Sequence, residues 1–127
     1  MDPRFEEMIQ AVGRYFAGLR HSDTVALAEV FHPQAIYACV SEGTLTRLSM
    51  EDYLPMVAVR PSPASRGEPP MDEIVSIEFA GPVTARATVK CAIGAKRFTD
   101  FLTFVKLDGR WRIIAKVFHF DLAEATA

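Results

Sequence analysis

Asp100, Lys116 and Tyr15 are the residues of this 127-residue chain whose types and settings point most directly to chemistry. Asp100 sits in FTDFLTFVK (residues 98–106) and Lys116 in WRIIAKVFHF (residues 111–120), each among apolar neighbours. A carboxylate and an ammonium sharing an apolar setting can orient an acidic or carbonyl ligand or act as an acid/base pair. They can equally form a structural ion pair whose net stabilisation is near zero. Tyr15, in RYFAGL, borders an apolar helical stripe, so its ring can pack inward with the hydroxyl in a cavity, or stay at the boundary with the hydroxyl in water. Cys39 and Cys91 belong to no CxxC or Cys/His cluster, and His21, His32 and His119 are dispersed, so neither a metal site nor a cofactor is expected. Cys39 reads as a small buried apolar residue, and His32 as a helix-terminating residue whose charge suits a helix C-terminus. Tyr37 and Arg60 are candidates for the lining or mouth of a cup.

These side chains must be positioned by a hairpin. Residues 107–110, LDGR, join two strand-like runs, and Asp-Gly between such runs marks a tight turn because glycine tolerates positive φ. Alternation puts Phe98, Asp100, Leu102, Phe104 and Lys106 on one face of the first strand, with Thr99, Phe101, Thr103 and Val105 on the other. In the second strand Arg112, Ile114, Lys116, Phe118 and Phe120 oppose Trp111, Ile113, Ala115, Val117 and His119. A two-residue turn pairs these sets one residue out of phase, so Asp100 and Lys116 share a face only with a bulge or a longer turn. Trp111 and His119 are expected on the outer face, where Trp111 would anchor a homodimer interface.

Ahead of the hairpin, Asp2-Pro3 starts a helix, and Phe5, Met8, Ile9, Val12, Phe16 and Leu19 form its apolar stripe. Ser22 or Asp23 caps a shorter helix through about residue 30, whose Val25, Leu27, Ala28, Val30 and Phe31 would dock on the core. Residues 35–40 read as a strand and 45–48 as a short returning one. Ser49 opens a third helix to about residue 59, bent at Pro55. Residues 60–72 hold four prolines and no apolar period, and so form a long loop or a flap over a pocket. Strands follow at 73–80 and 83–93, the latter with Val83, Ala85, Ala87, Val89, Cys91 and Ile93 on one face. Helices followed by an antiparallel meander give an α+β fold: three N-terminal helices packed in the concavity of a curved, mainly antiparallel sheet.

Composition narrows the class. Hydrophobic residues make up 50% of the chain, which suits one core in a single domain spanning 1–127. A net charge of −2 with scattered Lys and Arg provides no basic stripe, so nucleic acid is not expected as a partner. No apolar run approaches the roughly 18 residues needed to span a bilayer, and MDPRFEEMIQ is acidic and amphipathic, unlike a secretory signal. A cytoplasmic protein with reduced thiols, without a membrane partner, is the expectation.

Three segments, RYFAGLRHSD (14–23), VFHPQAIY (30–37) and FTDFLTFVKLDGRWRIIAKVF (98–118), resemble in order and spacing the NTF2-like superfamily. That is the cystatin-like α+β cone shared by ketosteroid isomerases, scytalone dehydratase and polyketide cyclases of the SnoaL type. The ending is most similar to the branch named for lumazine binding. In ketosteroid isomerases a Tyr on the first helix and an Asp on a strand form an oxyanion hole, and a second Asp is the base. The resemblance matches Tyr15 and Asp100 to the first two, whereas Cys39 stands in place of the base. Lys116 also intrudes on a face that is apolar in the isomerases. A buried thiol is a poor base, so steroid isomerisation is not expected.

Two functions follow. In one, the cone binds a small, largely hydrophobic molecule, with lyase, isomerase or cyclase chemistry open to it. Tyr15, Phe16, Tyr37, Cys39, Asp100, Leu102, Phe104, Ile114, Lys116 and Phe118 would line the site, and Asp100, Tyr15 and Lys116 are its candidate catalytic groups. In the other, the chain is a non-enzymatic homodimeric module whose cone is filled by its own side chains.

Overall fold

The computed structural model describes residues 2–123. Its elements run α1 (Pro3–Arg20), α2 (Thr24–Val30), β1 (Phe31–Cys39), β2 (Thr46–Ser49), α3 (Met50–Val59), β3 (Glu73–Phe79), β4 (Thr84–Ile93), β5 (Lys96–Leu107) and β6 (Arg110–Leu122). The six strands form one sheet in the order β2-β1-β6-β5-β4-β3, antiparallel throughout except for the β1–β6 pair. The helices cover one face of this sheet, giving the α+β cone.

Local chemistry starts and stops the helices. The Asp2 side chain accepts from the Arg4 amide and Asp23 from Ala26, while Ser49 Oγ accepts from Asp52. Each satisfies an amide that the first helical turn cannot. Val30 ends α2 and Phe31 is already extended, ahead of His32-Pro33. At Gly18 the two leading helices cross closely: a Cβ there would stand 2.6 Å from Leu27 Cδ2.

The buried face of α1 is Met8, Ala11, Val12, Tyr15, Gly18 and Leu19. This is rotated from the stripe of large apolar residues, since Phe5 and Ile9 are substantially exposed. Small residues belong on the buried face because they let the helix approach its neighbours. The rotation moves Tyr15 from the border to the centre, with 0% of its surface exposed. On α2, Leu27 and Val30 are buried, but Val25 faces solvent.

The β5–β6 hairpin turns on Asp108 and Gly109 at φ 51° and 74°, the positive pair of a type I′ turn. It pairs Leu107 with Arg110 and Phe104 with Ile113, but beyond them Thr103 pairs with Ala115 and Leu102 with Lys116. Ile114 is thus the extra residue of a β-bulge, and every residue after it changes face. The consequences correct two expectations. Trp111 and Ile113 lie on the helix side, Trp111 4% exposed with its indole N–H donating to Glu7 Oε2 at 3.0 Å, so Trp111 cannot anchor an outer interface. Ile114 leaves the cup, and Lys116 and Phe118 enter it beside Asp100, Leu102 and Phe104.

Candidate functional site

The bulge brings a second charge into the core: Asp100 and Lys116 are the buried charged residues among those described, 0% and 4% exposed. They are diagonal neighbours on one face, and neither takes part in a salt bridge among the described residues. Asp100 is held from α1 and β4. The Tyr15 hydroxyl donates to its Oδ2 at 2.5 Å and the Cys91 thiol to the same oxygen at 3.8 Å, while Oδ1 is buried without a partner.

Lys116 is held by rings. Its Nζ lies 5.0 Å from the ring centre of Phe118, 5.2 Å from Tyr15, 5.4 Å from Tyr37, 5.6 Å from Tyr53 and 5.9 Å from Phe98. All fall within the reach of cation–π attraction, which strengthens when the cation is desolvated. Tyr37 stacks on Tyr53 with ring centres 4.5 Å apart, closing the cage on the β1 and α3 side.

A chamber opens beside this ammonium, lined by Leu19, Tyr37, Tyr53, Arg60, Cys91, Ile93, Phe98 and Lys116, with about 10 Å³ of free space, room for one water. The Tyr53 hydroxyl and the Nε and Nη2 of Arg60 are buried without partners. A neighbouring chamber of about 10 Å³ shares Leu19, Cys91 and Ile93, and adds Phe16, Arg20, Asp72 and the prolines 63, 69 and 70.

The loop over residues 60–72 closes this second chamber from above. The Ala64 amide donates to the Arg20 carbonyl at 3.0 Å and Arg20 Nη1 to the Glu68 carbonyl at 2.9 Å. Ser22 Oγ donates to the Arg60 carbonyl at 3.2 Å, and the Gly94 amide to Glu68 Oε1 at 2.8 Å. A far roomier concavity, about 610 Å³, lies outside the cone between α2 and α3. It is wide open, and its Arg110 and Arg112 donate to the carbonyls of Glu29, Ala28 and Phe31.

Electrostatics set the protonation of the cage. Burial pushes the Tyr15 phenol well above its ordinary value, reinforced by the Asp100 charge. Burial also takes the Cys91 thiol up to about 12, again with Asp100, and Tyr37 up to about 12 against the pull of Lys116. For Lys116, burial opposes the charge, but the Tyr53 and Asp100 oxygens outweigh it and the ammonium is favoured. At neutral pH these four groups all carry their protons. The site therefore presents donors and cationic charge, with Asp100 as its carboxylate acceptor.

Of the residues singled out in the sequence, Tyr15, Tyr37, Asp100, Lys116 and Phe118 come together at the cage, and Arg60 lines its chamber. Phe16 lines the neighbouring chamber instead. Leu102 and Phe104 are buried core, and Cys39 is buried on β1 without lining either chamber. Ile114, as the bulge residue, is not part of the site. His32 accepts from the Gln34 amide through Nδ1 at 3.0 Å, and His119 contacts Ser41 and Asp121 at the surface. Tyr53 was missed in the sequence, although its Met50, Tyr53, Val57 spacing marks the buried face of α3. Tyr15 and Asp100 meet as the isomerase resemblance implies, but they are bonded to each other. No group of three or more His, Cys, Asp or Glu among the described residues could hold a metal, and no helix of those residues is long and apolar enough to cross a membrane.

A curved six-stranded sheet closed by three N-terminal helices is the NTF2-like fold, and solved structures bear this out. An NTF2-like protein of unknown function from Silicibacter pomeroyi superposes with a TM-score of 0.80 at 24% identity, covering 93% of this chain and 96% of its own. One from Shewanella baltica gives 0.82 at 22%, covering 94% and 95%. A ketosteroid isomerase-like protein from Erwinia carotovora atroseptica gives 0.73 at 10%, covering 94% and 98%. At these identities the likeness is one of fold. Within the superfamily, the chain belongs to the family described as "Putative lumazine-binding", whose model matches residues 3–119. No functionally curated protein matches it.

Proposed function

We propose that this protein binds a small, largely hydrophobic molecule in its cone, with Lys116 and its aromatic cage as the floor of the site. The observation that carries this reading is the set of unpartnered polar atoms at one chamber. The Tyr53 hydroxyl and two Arg60 nitrogens are buried with nothing to bond, beside a caged ammonium. Each buried orphan costs about 1–3 kcal/mol, a cost that a bound polar group relieves. Binding requires the residue 60–72 loop to lift, because the chambers as they stand hold about one water each. Lyase, isomerase or cyclase chemistry would fall to Asp100, Tyr15 and Lys116; with Tyr15 and Lys116 protonated, Asp100 is the one acceptor of the three.

The tightness of those chambers favours a second reading, a homodimeric module with a filled cone. The outer sheet face supports the dimer itself: Phe101 and Val117 are cross-strand partners there, 60% and 46% exposed. Native mass spectrometry separates the two readings. The first expects a small-molecule mass retained under mild conditions, lost on denaturation and depleted in Tyr53→Phe. A bare dimer in wild type and variant alike would favour the second.

A further inference from the structure

The chamber beside Lys116 has the chemistry of an anion site. Two cationic side chains, Lys116 and Arg60, line it together with the Tyr53 hydroxyl. Lys116 and Tyr53 are 4% and 2% exposed, and the Tyr53 hydroxyl and Arg60 Nε and Nη2 have no partner. The carboxylate nearest Lys116 along the sheet, Asp100, is engaged by Tyr15 and Cys91. The adjoining chamber adds one charge of each sign, Asp72 and Arg20, so with Lys116 and Arg60 set against Asp100 the cations around Lys116 outnumber the anions by one. Buried charge in excess calls for an opposite charge, and a guanidinium with free N–H groups is shaped to take a planar carboxylate.

Space and lining specify the rest of the molecule. Room for one water beside Lys116 is room for one carboxylate oxygen, not for a whole ligand. The body must extend past Leu19 and Ile93 into the neighbouring chamber, which is equally small until the loop lifts and is lined by Phe16, Arg20, Asp72 and prolines of the loop. With the loop raised, the Phe16 ring and the proline faces offer flat apolar surfaces that suit a ring.

Resting on the reading of the cone as a ligand site, we infer that it takes a small aromatic carboxylic acid, whose carboxylate is bound by Arg60, Lys116 and Tyr53 while its ring lies under the residue 60–72 loop. Arg60 sets specificity for charge, because it sits at the end of α3 where the loop begins and so closes on the ligand with it.

The test is an amide NMR titration of the intact protein with benzoate and with its neutral isostere benzamide, on wild type and Arg60→Gln. Benzoate should give saturable shifts at Tyr53, Ile93 and Phe98 with at least tenfold higher affinity than benzamide. Arg60→Gln should bring benzoate down to the affinity of benzamide and so abolish that preference, whereas a merely structural role for Arg60 would weaken both probes alike and keep the preference. Equal affinities in wild type would overturn the anion inference and leave the cone a ligand site. No saturable shift at those residues with either probe would remove both.

Discussion

Replacing Asp100 by asparagine keeps the shape of the side chain and removes its charge, leaving the Lys116 ammonium buried without a carboxylate on its face. The register makes the two residues diagonal cross-strand neighbours, roughly 7 Å apart. At that separation and an effective dielectric of about 20, their attraction is about 2.4 kcal/mol. Weakening the Tyr15 bond from charged to neutral removes about 1 kcal/mol more. The sum is about 3 kcal/mol, and a chain of 127 residues has an unfolding entropy of about 0.27 kcal/mol/K. The melting temperature should therefore fall by about 11 °C. The double variant Asp100→Asn/Lys116→Met removes the stranded charge and should recover about 2 kcal/mol relative to additivity in a double-mutant cycle by urea unfolding. A single-variant shift under about 2 °C, or a coupling under about 0.5 kcal/mol, would refute the argument that the two charges sustain each other.

Three further outcomes are expected. Raised folded-state values hold stability below the unfolded values and lose it as pH climbs, so the Cys91 and Tyr37 shifts from 9.0 and 10.0 to about 12 make the protein weaken above about pH 9. The urea midpoint should fall between pH 9 and 11, less steeply in Cys91→Ala, whereas a flat midpoint would contradict the burial of these groups. Gly18→Ala drives a methyl into the fully buried Leu27 and should destabilise by about 1–3 kcal/mol, while Gly13→Ala, with open space at its Cβ, should stabilise by up to about 1 kcal/mol. Thermal melts with the same sign for both would count against the α1–α2 crossing. On the proposal of a dimer through the outer sheet face, Phe101→Lys places a charge on that face and should make the protein sediment as a monomer where wild type sediments as a dimer. An unchanged sedimentation profile would count against a dimer through this face.

How far the sequence could be read depended on whether a feature was local. Asp2 and Ser49 as caps, Asp23 as one of two candidates with Ser22, the Asp-Gly turn, the alternation of β4 and the inward face of β5 are set by neighbours a few residues away and are legible. The bulge at Ile114 was not, because an apolar residue inside an apolar strand carries no mark of being the extra one. That single insertion decides which of Trp111 and Lys116 enters the cone. Its necessity could be reasoned, since Asp100 and Lys116 share a face only through it, but its place could not. The sequence places Tyr15 at the border of the apolar stripe, with its hydroxyl in a cavity or in water, because counting only large side chains ignores Ala11 and Gly18, which share its buried face. Arg60 is a sequence candidate that does line the chamber, and the spacing of Met50, Tyr53 and Val57 marks Tyr53 as buried, but the stacking of Tyr53 on Tyr37 is a contact between α3 and β1 that no periodicity within either one encodes.

The chamber bounded by Tyr53, Arg60 and Lys116 is the centre of the account, and a crystal structure of the protein purified without added ligand tests it most directly. The account expects Lys116 Nζ inside the aromatic cage and a bound group with an oxygen within hydrogen-bonding reach of Nζ, of Arg60 and of the Tyr53 hydroxyl, extending beneath the residue 60–72 loop. A cone holding a single water, or Lys116 turned to the outer face of the sheet, would contradict it.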